Sequence, residues 1–234
     1  MPKLRFDILT LFPQFFASPL KESLLQKALA KDLLEINLLD IRDFGEGPHK
    51  KVDDSPFGGG EGMVLRVDVL SKALSSVKRT KNSQVILLSP GGTRLTQKLA
   101  AELVQKEQLI LVAGRYEGVD QRFTDLFVDQ EISIGDYILN GGETAALVVL
   151  ETVARLVPGF VGKEKSTQQE SFSVFELEGK KQMLLEYPHY TRPAEFQGQK
   201  VPEILLSGNH EKIKKWRHET AFEKTKKVRP DLLD

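Results

Sequence analysis

The chain has 234 residues, of which 40% are hydrophobic and 28% charged, as in an ordinary globular protein of one or two domains. It contains no cysteine, which excludes disulfide frameworks, thiol nucleophiles, iron–sulfur clusters and cysteine-ligated zinc. Thirty-three basic residues balance 33 acidic ones, and no apolar run approaches the ~18 residues of a membrane span. Because the N-terminus also lacks a signal-peptide pattern, we expect a cytoplasmic protein.

Apolar runs of strand length alternate with helical patterns through the first two thirds of the chain. The predicted strands are Leu4–Phe12, Leu34–Ile41, Val85–Ser89, Leu109–Ala113 and Glu131–Ile134. The predicted helices are Pro19–Lys31, Val67–Lys78, Leu95–Gln108 and Gly142–Leu156. This alternation is typical of an α/β fold with a parallel sheet covered on both faces. The last helix is apolar on nearly every side and is expected to be buried.

The pattern changes after Gly162. Residues 163–173 are polar, show no apolar periodicity and predict a linker. Farther on the alternation ends, and Pro202–Arg229 predicts two short helices around Ser207-Gly208-Asn209. We therefore expect a first domain over residues 1–161, a linker over 162–175 and a mainly helical domain over 176–234.

Three glycine-rich turns each follow a predicted strand: Ser89–Gly92, Gly114–Gly118 and Gly135–Gly142. Ligands of open α/β sheets bind at the carboxyl ends of strands, where such turns meet, and glycine lets the backbone approach a ligand closely. Neither G-x-G-x-x-G nor G-x-x-x-x-G-K-[ST] is present, which disfavours ATP and dinucleotides. An adenosine compound without phosphates is a better candidate, although ordinary turn chemistry would also explain any one of these segments.

A fourth glycine cluster, Gly58 to Gly62, lies in a long early loop after Asp53 and Asp54. Loops of this length are commonly functional, and the two aspartates could bind a metal or the edge of a base. A flexible loop capped by Asx-turns is the alternative.

The four histidines lack metal-site spacing, so none is assigned a catalytic role.

Positive charge collects near the end of the chain. Residues 211–230 hold 8 Lys/Arg against 3 Asp/Glu, with Trp216 among them, whereas residues 1–210 hold 25 against 28. A basic segment on a neutral body favours an anionic partner, and a solvated helix face is the alternative.

Arg155 follows Glu151 by four residues, so it either forms a helix salt bridge or brings a cation to the edge of a site.

Six motifs in this order are together highly specific. They are Val52-Asp53-Asp54 with Gly58–Met63, Leu88-Ser89-Pro90, Gly114–Asp120, Ser133–Glu143, Pro188–Pro193 and Leu205–His210. Over about residues 4 to 233 the chain resembles the TrmD family of bacterial tRNA (guanine-N1)-methyltransferases. The resemblance implies a SPOUT-type parallel sheet with a C-terminal trefoil knot, followed by a small, mainly helical tRNA-binding domain. It also implies a homodimer that methylates guanine 37, just 3′ of the anticodon, and family members are reported to need magnesium.

The resemblance further implies S-adenosylmethionine as the methyl donor. The positions matching the family's cofactor loops are Leu88, Ser89, Pro90, Gly114, Tyr116, Glu117, Gly118, Ser133, Ile134, Gly135, Asp136, Tyr137, Ile138, Leu139, Gly141 and Gly142. These positions lie in the three turns identified above from the strand pattern.

Glu170 and Arg155 match the family's catalytic positions, as the general base at guanine N1 and as the cation at O6. Family members usually have aspartate at the first of these positions. The stretch from Phe172 to Pro188 is also longer than usual, and the C-terminus ends earlier. RNA contacts are expected from Asp53 and from three cations of the basic segment, Lys214, Lys215 and Arg217; no residue is assigned to a metal. A SPOUT methyltransferase for another RNA and a non-catalytic RNA-binding protein of the same fold are the alternatives.

Overall fold

The computed structural model describes residues 3–162, 170–177 and 180–233. The chain divides into two compact units, Met1–Phe160 and Val161–Asp234. Residues 163–169 of the predicted linker lie outside the described residues, whereas residues 173–175 belong to a β-strand. Across the described residues, no helix has both the length and the apolar content needed to cross a bilayer.

The first unit alternates strands and helices, with short 3-10 turns at Pro13–Phe16, Pro19–Lys21 and Ile41–Phe44. Its elements are β1 (Leu4–Thr10), α1 (Ser23–Ala30), β2 (Leu34–Asp40), β3 (Asp53–Asp54), β4 (Val64–Leu65), α2 (Val67–Ser75), β5 (Ser83–Arg94), α3 (Gln97–Leu103), β6 (Gln108–Ala113), α4 (Gln121–Phe127), β7 (Gln130–Ser133) and α5 (Glu143–Ala154).

Five of these strands form a parallel sheet in the order β2-β1-β6-β5-β7. Every residue of the central strand β6 is buried, as its continuous apolar run predicts. The α/β class and the parallel sheet are thus confirmed. Helix α5 buries Ala146, Val149, Leu150 and Val153, which confirms the expectation of a largely buried helix, although Val148 on its outer side remains 37% exposed.

Strand β5 leaves the sheet and rejoins it. Leu88 and Thr93 both stand opposite Ile132 of β7, so residues 89–92 loop out of the ladder. A side chain at Gly92 would place its Cβ 2.5 Å from the carbonyl carbon of Glu131, so only glycine fits there without a backbone shift. The excursion puts a turn at the carboxyl edge of the sheet, beside the ends of β6 and β7.

The second unit contains two short antiparallel ladders as well as helices. Its elements are β8 (Ser173–Leu177), β9 (Lys180–Leu184), β10 (Glu195–Phe196), β11 (Gln199–Lys200), α6 (Glu203–Leu206) and α7 (His210–Val228). A small core of Leu184, Tyr187 and Ala221 holds strand β9 against α7.

Three elements differ from the expectation. Helix α4 was not predicted, because its seven residues are too few to show a clear helical period. The β8–β9 ladder was missed because its strands mix apolar and charged residues, with Val174 60% exposed. The predicted break at Ser207–Asn209 is confirmed, but the helix after it runs for 19 residues, with Asn209 accepting the Lys212 N–H at its start.

Candidate functional site

The turns after β5, β6 and β7 surround one cavity of about 430 Å³, within the usual range for small-molecule sites. All of the sequence-predicted cofactor positions line it except the exposed Asp136. The lining residues that were not predicted are Leu87, Arg115, Val119, Gln121, Thr124, Glu131, Ile132, Asn140 and Ala145. The structure therefore gathers three separate chain segments at one edge of the sheet.

Close backbone contact joins two of these turns. The Gly142 N–H donates to the Gly114 carbonyl at 2.8 Å, and Arg115 and Gly141 form an antiparallel bridge. A Cβ on Gly142 would lie 2.8 Å from the Cα of Ala113, closer than real side chains approach. Glycine is needed at position 142 because the start of α5 is packed directly on the end of β6.

The third turn is held by its own polar groups. The Ser133 hydroxyl donates to the Gly135 carbonyl at 3.1 Å and accepts the Gly135 N–H at 3.2 Å, and Gly135 has φ +153°. The Tyr137 hydroxyl donates to the Ile134 carbonyl at 3.2 Å. Beyond this turn Tyr137, Ile138 and Leu139 expose apolar surface at the mouth of the cavity, a surface suited to a flat aromatic ring.

A buried ion pair supports the cavity wall. The Glu143 carboxylate is 1% exposed, and its Oε2 lies 2.9 Å from Arg115 Nε. Its Oε1 accepts the Thr10 hydroxyl at 2.9 Å. Arg115 also donates to the Asn140 carbonyl at 3.1 Å and stacks on Phe12 at 4.5 Å from the ring centroid. The pair thus connects the end of β1, the turn after β6 and the start of α5.

Tyr116 lies between the cavity and the hairpin that β3 and β4 form. Its backbone has φ +62° and its ring is about half exposed. Burial raises the pKa of the Tyr116 phenol, and the Asp53 carboxylate raises it further, with Arg42 opposing. The phenol therefore stays protonated at neutral pH and can donate a hydrogen bond to Asp53. This arrangement brings Asp53, one of the predicted RNA contacts, beside a predicted cofactor residue.

The other predicted residues lie away from this cavity or in the second unit. Arg155 follows the last residue of α5, ~18 Å along the helix from Glu143, and does not line the cavity. The Glu170 carbonyl accepts the Ser173 N–H at 3.1 Å within the second unit. Within the described ranges, no three histidine, cysteine, aspartate or glutamate side chains gather closely enough to hold a metal ion.

The predicted RNA-binding cations lie on the exposed surface of α7. Lys214, Lys215 and Arg217 are all exposed, and Arg217 lies over the Tyr187 ring at 4.8 Å. Lys215 is 3.9 Å from Glu219, a distance at which a surface ion pair holds the side chain only loosely. At least two of the three cations thus remain accessible to an anionic partner.

Comparison with known proteins gives a single family. Residues 4–234 match the family tRNA (Guanine-1)-methyltransferase TrmD. A tRNA (guanine-N(1)-)-methyltransferase of Carboxydothermus hydrogenoformans is 52% identical over 230 residues, covering 98% of this chain and 87% of the relative. The corresponding proteins of Dictyoglomus turgidum and Geobacter metallireducens are 50% and 48% identical, with 99% of this chain and 90% and 91% of the relatives covered.

The chain belongs to the TrmD family.

Membership of the TrmD family makes this chain a tRNA methyltransferase and confirms the activity class expected from the motifs. Sequence reasoning gave no role to Arg115 or Glu143, although both stand inside quoted motifs. The available signal was a carboxylate placed directly after Gly141-Gly142, at the start of a helix expected to be buried. Arg42 carried no comparable signal, because only the fold brings it near Tyr116.

Removal of the Arg115 charge should destabilise the fold. In the Arg115→Met variant the Glu143 carboxylate remains buried without its cation, a change that typically costs about 3–5 kcal/mol. Urea denaturation should show this loss, and the Arg115→Met/Glu143→Gln double variant should recover part of it. Arg122→Met is the matched control, because its exposed pair with Asp120 should matter little. Equal unfolding midpoints for all variants would contradict a structural role for the pair.

A methyl group at Gly142 should damage the cavity. Gly142→Ala forces the start of α5 away from Ala113, so S-adenosylmethionine affinity should fall by about ten-fold or more, equivalent to about 1.4 kcal/mol. Gly91→Ala is the control, since its Cβ would meet only Ser89 Oγ, at 3.8 Å. Isothermal titration of both variants provides the comparison. Parental affinity in Gly142→Ala would show that this close approach does not shape the cofactor site.

Proposed function

We propose that this enzyme transfers the methyl group of S-adenosylmethionine to N1 of guanine 37 in tRNA. The observation that carries the proposal is the cavity at the carboxyl edge of β5, β6 and β7, lined by nearly all the predicted cofactor positions. Its walls offer backbone N–H and carbonyl groups together with an apolar rim, and no phosphate-binding loop. This chemistry suits an adenosine compound without phosphates.

S-Adenosylmethionine supplies an electrophilic methyl group attached to a sulfonium, so the protein needs no nucleophile of its own. In the proposed site, Tyr137, Ile138 and Leu139 cover the adenine ring, and the backbone of Gly114–Gly118 orients the rest of the ligand. The turn geometry set by Ser133 and by the glycines at 141 and 142 supports this assignment. A preformed cavity lowers the ordering cost of binding.

The protein must activate the guanine, because the methyl donor is already reactive. N1 carries a proton that must leave before the ring nitrogen can accept a methyl group, and negative charge then develops on O6. We assign the proton to the Glu170 carboxylate and the stabilisation of O6 to the Arg155 guanidinium. Glutamate has nearly the same intrinsic basicity as the aspartate usual in the family.

The proposed site is shared between two copies of the chain. Arg155 is ~15 Å along α5 from Ala145, which lines the cavity, and this is farther than its own side chain can reach. A second copy would supply the missing groups if its Arg155 and Glu170 faced the cofactor turns of the first.

We also propose the finer features that the family resemblance implies. The start of α5 packs against the turn after β6 and is bridged to it at Arg115 and Gly141, a contact compatible with a trefoil knot. The second unit is proposed to bind tRNA, and strand β8, which begins at Ser173, belongs to this unit and not to the linker expected at 162–175. A tRNA substrate also implies action in the cytoplasm. Magnesium is assigned no residue and no step, because the described residues form no cluster of ligands for it.

Methyl transfer to defined transcripts tests this function. Labelled S-adenosylmethionine should donate one methyl group to a tRNA transcript with guanine at position 37 and none to the transcript with adenine there. Nucleoside digestion should give 1-methylguanosine as the product. A methyl group on another nucleotide would favour the alternative of a SPOUT enzyme for a different RNA, and binding of both ligands without transfer would favour a non-catalytic protein.

Glu170→Gln should abolish most of the chemistry without loss of binding. A general base typically contributes ~10²–10⁴-fold, so single-turnover transfer should fall by at least ~100-fold. Affinities for tRNA and S-adenosylmethionine should stay within a few-fold of the parent, and Glu170→Asp should keep much of the activity. Near-parental transfer in Glu170→Gln would move the base elsewhere, with Asp53 and Glu117 as the next candidates.

The cations of α7 should provide RNA affinity and no chemistry. Alanine at Lys214, Lys215 and Arg217 should weaken tRNA binding, because contacts to phosphates are lost. Each lost contact should make the negative slope of log affinity against log salt shallower by about 0.7–0.9. Titrations at several salt concentrations measure that slope, and S-adenosylmethionine affinity provides the control. An unchanged slope would mean that these charges form only a solvated helix face.

Mixing two impaired variants tests the shared site. At S-adenosylmethionine concentrations below the parental Kd, Gly142→Ala should keep about a tenth or less of the parental activity, because its cofactor affinity falls about ten-fold. Glu170→Gln lacks the base and should keep less. After the chains are exchanged, about a quarter of the parental activity should return, because half of the dimers are mixed and each mixed dimer has one intact site of two. No recovery despite chain exchange, or a fully active monomer in sedimentation, would contradict a site built from both chains.

A further inference from the structure

One apolar side chain of the first unit faces solvent almost completely. Phe57 is 99% exposed, more than any other large apolar side chain of the described residues. It lies in residues 55–63, which connect β3 to β4 and which we call the hairpin tip. A lone apolar surface residue is common, but a phenylalanine with no packing partner in a glycine-rich tip is informative.

The backbone next to Phe57 requires glycine. Gly58, Gly59 and Gly60 have φ values of +87°, +81° and +119°, in the region that L-residues rarely adopt. A Cβ at Gly58 or Gly59 would meet no atom within 4 Å, so this part of the tip is open, whereas the Glu117 side chain packs against the tip at Gly62. The three glycines therefore set the direction in which Phe57 projects, while leaving the ring uncovered.

The base of the hairpin is firmly attached to the cofactor cavity. Glu117 donates its N–H to the Met63 carbonyl at 3.0 Å, and the fully buried Leu65 donates to the Gly118 carbonyl at 3.0 Å. Both Glu117 and Gly118 line the cavity. The strand end of the hairpin is thus bonded to the cavity wall, and its tip carries an exposed aromatic ring.

We propose that Phe57 stacks on a nucleobase of the tRNA anticodon loop that neighbours the target guanine. This inference rests on the proposed function, because a guanine that leaves the stack of its loop to enter the cavity uncovers the face of the neighbouring base. Proteins that read single-stranded loops or act on bases splay the nucleotides apart and cover their faces with aromatic side chains. Phe57 provides such a face next to the cavity.

The charges around the hairpin favour a base over the phosphate backbone as the partner of this ring. Asp53 and Asp54 open the hairpin and Glu61 lies within the tip, and they balance the flanking Lys50, Lys51 and Arg66, so the hairpin has no excess of positive charge that would favour phosphates. Asp54 is engaged by Lys51 at 2.7 Å and by the Ser55 N–H at 2.9 Å. Asp53 lies near enough to the Tyr116 phenol to raise its pKa, and a carboxylate oxygen there can accept from the N–H edge of a base. An acceptor and an aromatic face on one hairpin fit a nucleobase.

Substitution of Phe57 tests the stacking role. Phe57→Ala and Phe57→Leu should weaken binding of a guanine-37 tRNA by about 5- to 150-fold, the usual range for one stacked base, and Phe57→Tyr should bind like the parent. The salt slope should not change, because no phosphate contact is lost. S-Adenosylmethionine affinity and thermal stability should also stay parental. Leu126→Ala, which removes another exposed apolar side chain of the first unit, is the matched control.

An abasic nucleotide on either side of guanine 37 identifies the partner. If Phe57 stacks on that base, Phe57→Ala should cause no further loss of affinity for the abasic tRNA. Parental tRNA affinity in both Phe57→Ala and Phe57→Leu would overturn the inference, and so would an effect on sedimentation alone, which would assign the ring to a second copy of the chain. If the unsubstituted protein methylates guanine 37 while the Phe57 variants bind tRNA normally, the stacking role of Phe57 is wrong and the proposed function still holds.

Discussion

The ion pair between Glu143 and Arg115 determines how the turns after β6 and β7 meet. A carboxylate that is 1% exposed must be compensated by nearby donors, and Glu143 finds them on β1 and on the turn after β6. Since Arg115 also donates to Asn140, the segments that form two sides of the cavity share one buried charge network. Such a network favours one arrangement of these segments over looser alternatives, because any other leaves a charge unpaired in the interior.

Glycine makes this arrangement sterically possible. The start of α5 approaches β6 so closely that position 142 has no room for a side chain, and a Cβ at position 141 would overlap the Arg115 guanidinium. At the other side of the cavity Gly92 allows β5 to rejoin the sheet beside Glu131. Charge pairing and close backbone approach are therefore two aspects of one constraint, the tight packing of turns at the carboxyl edge of the sheet.

Much of this region was predictable from the sequence. The strands that carry the cavity appear as continuous apolar runs, and the rule for open α/β sheets places ligands where their glycine-rich turns gather. The roles of Arg115 and Glu143 were not predictable, because an ion pair between residues 28 apart depends on the fold. Helix α4 and the β8–β9 ladder were missed because a short or partly exposed element has weak periodicity. The predicted helix Gly142–Leu156 already put Arg155 at the far end of α5, but the structure was needed to show that Arg155 does not line the cavity.

A crystal structure of the protein with S-adenosylmethionine tests the central claim most directly. We expect the ligand in the cavity between Leu88–Pro90, Gly114–Gly118 and Ser133–Gly142, with Arg115 still paired to Glu143 and the adenine ring against the apolar rim at Tyr137–Leu139. A ligand bound elsewhere, or bound in this cavity only after the Arg115–Glu143 pair has separated, would contradict that claim.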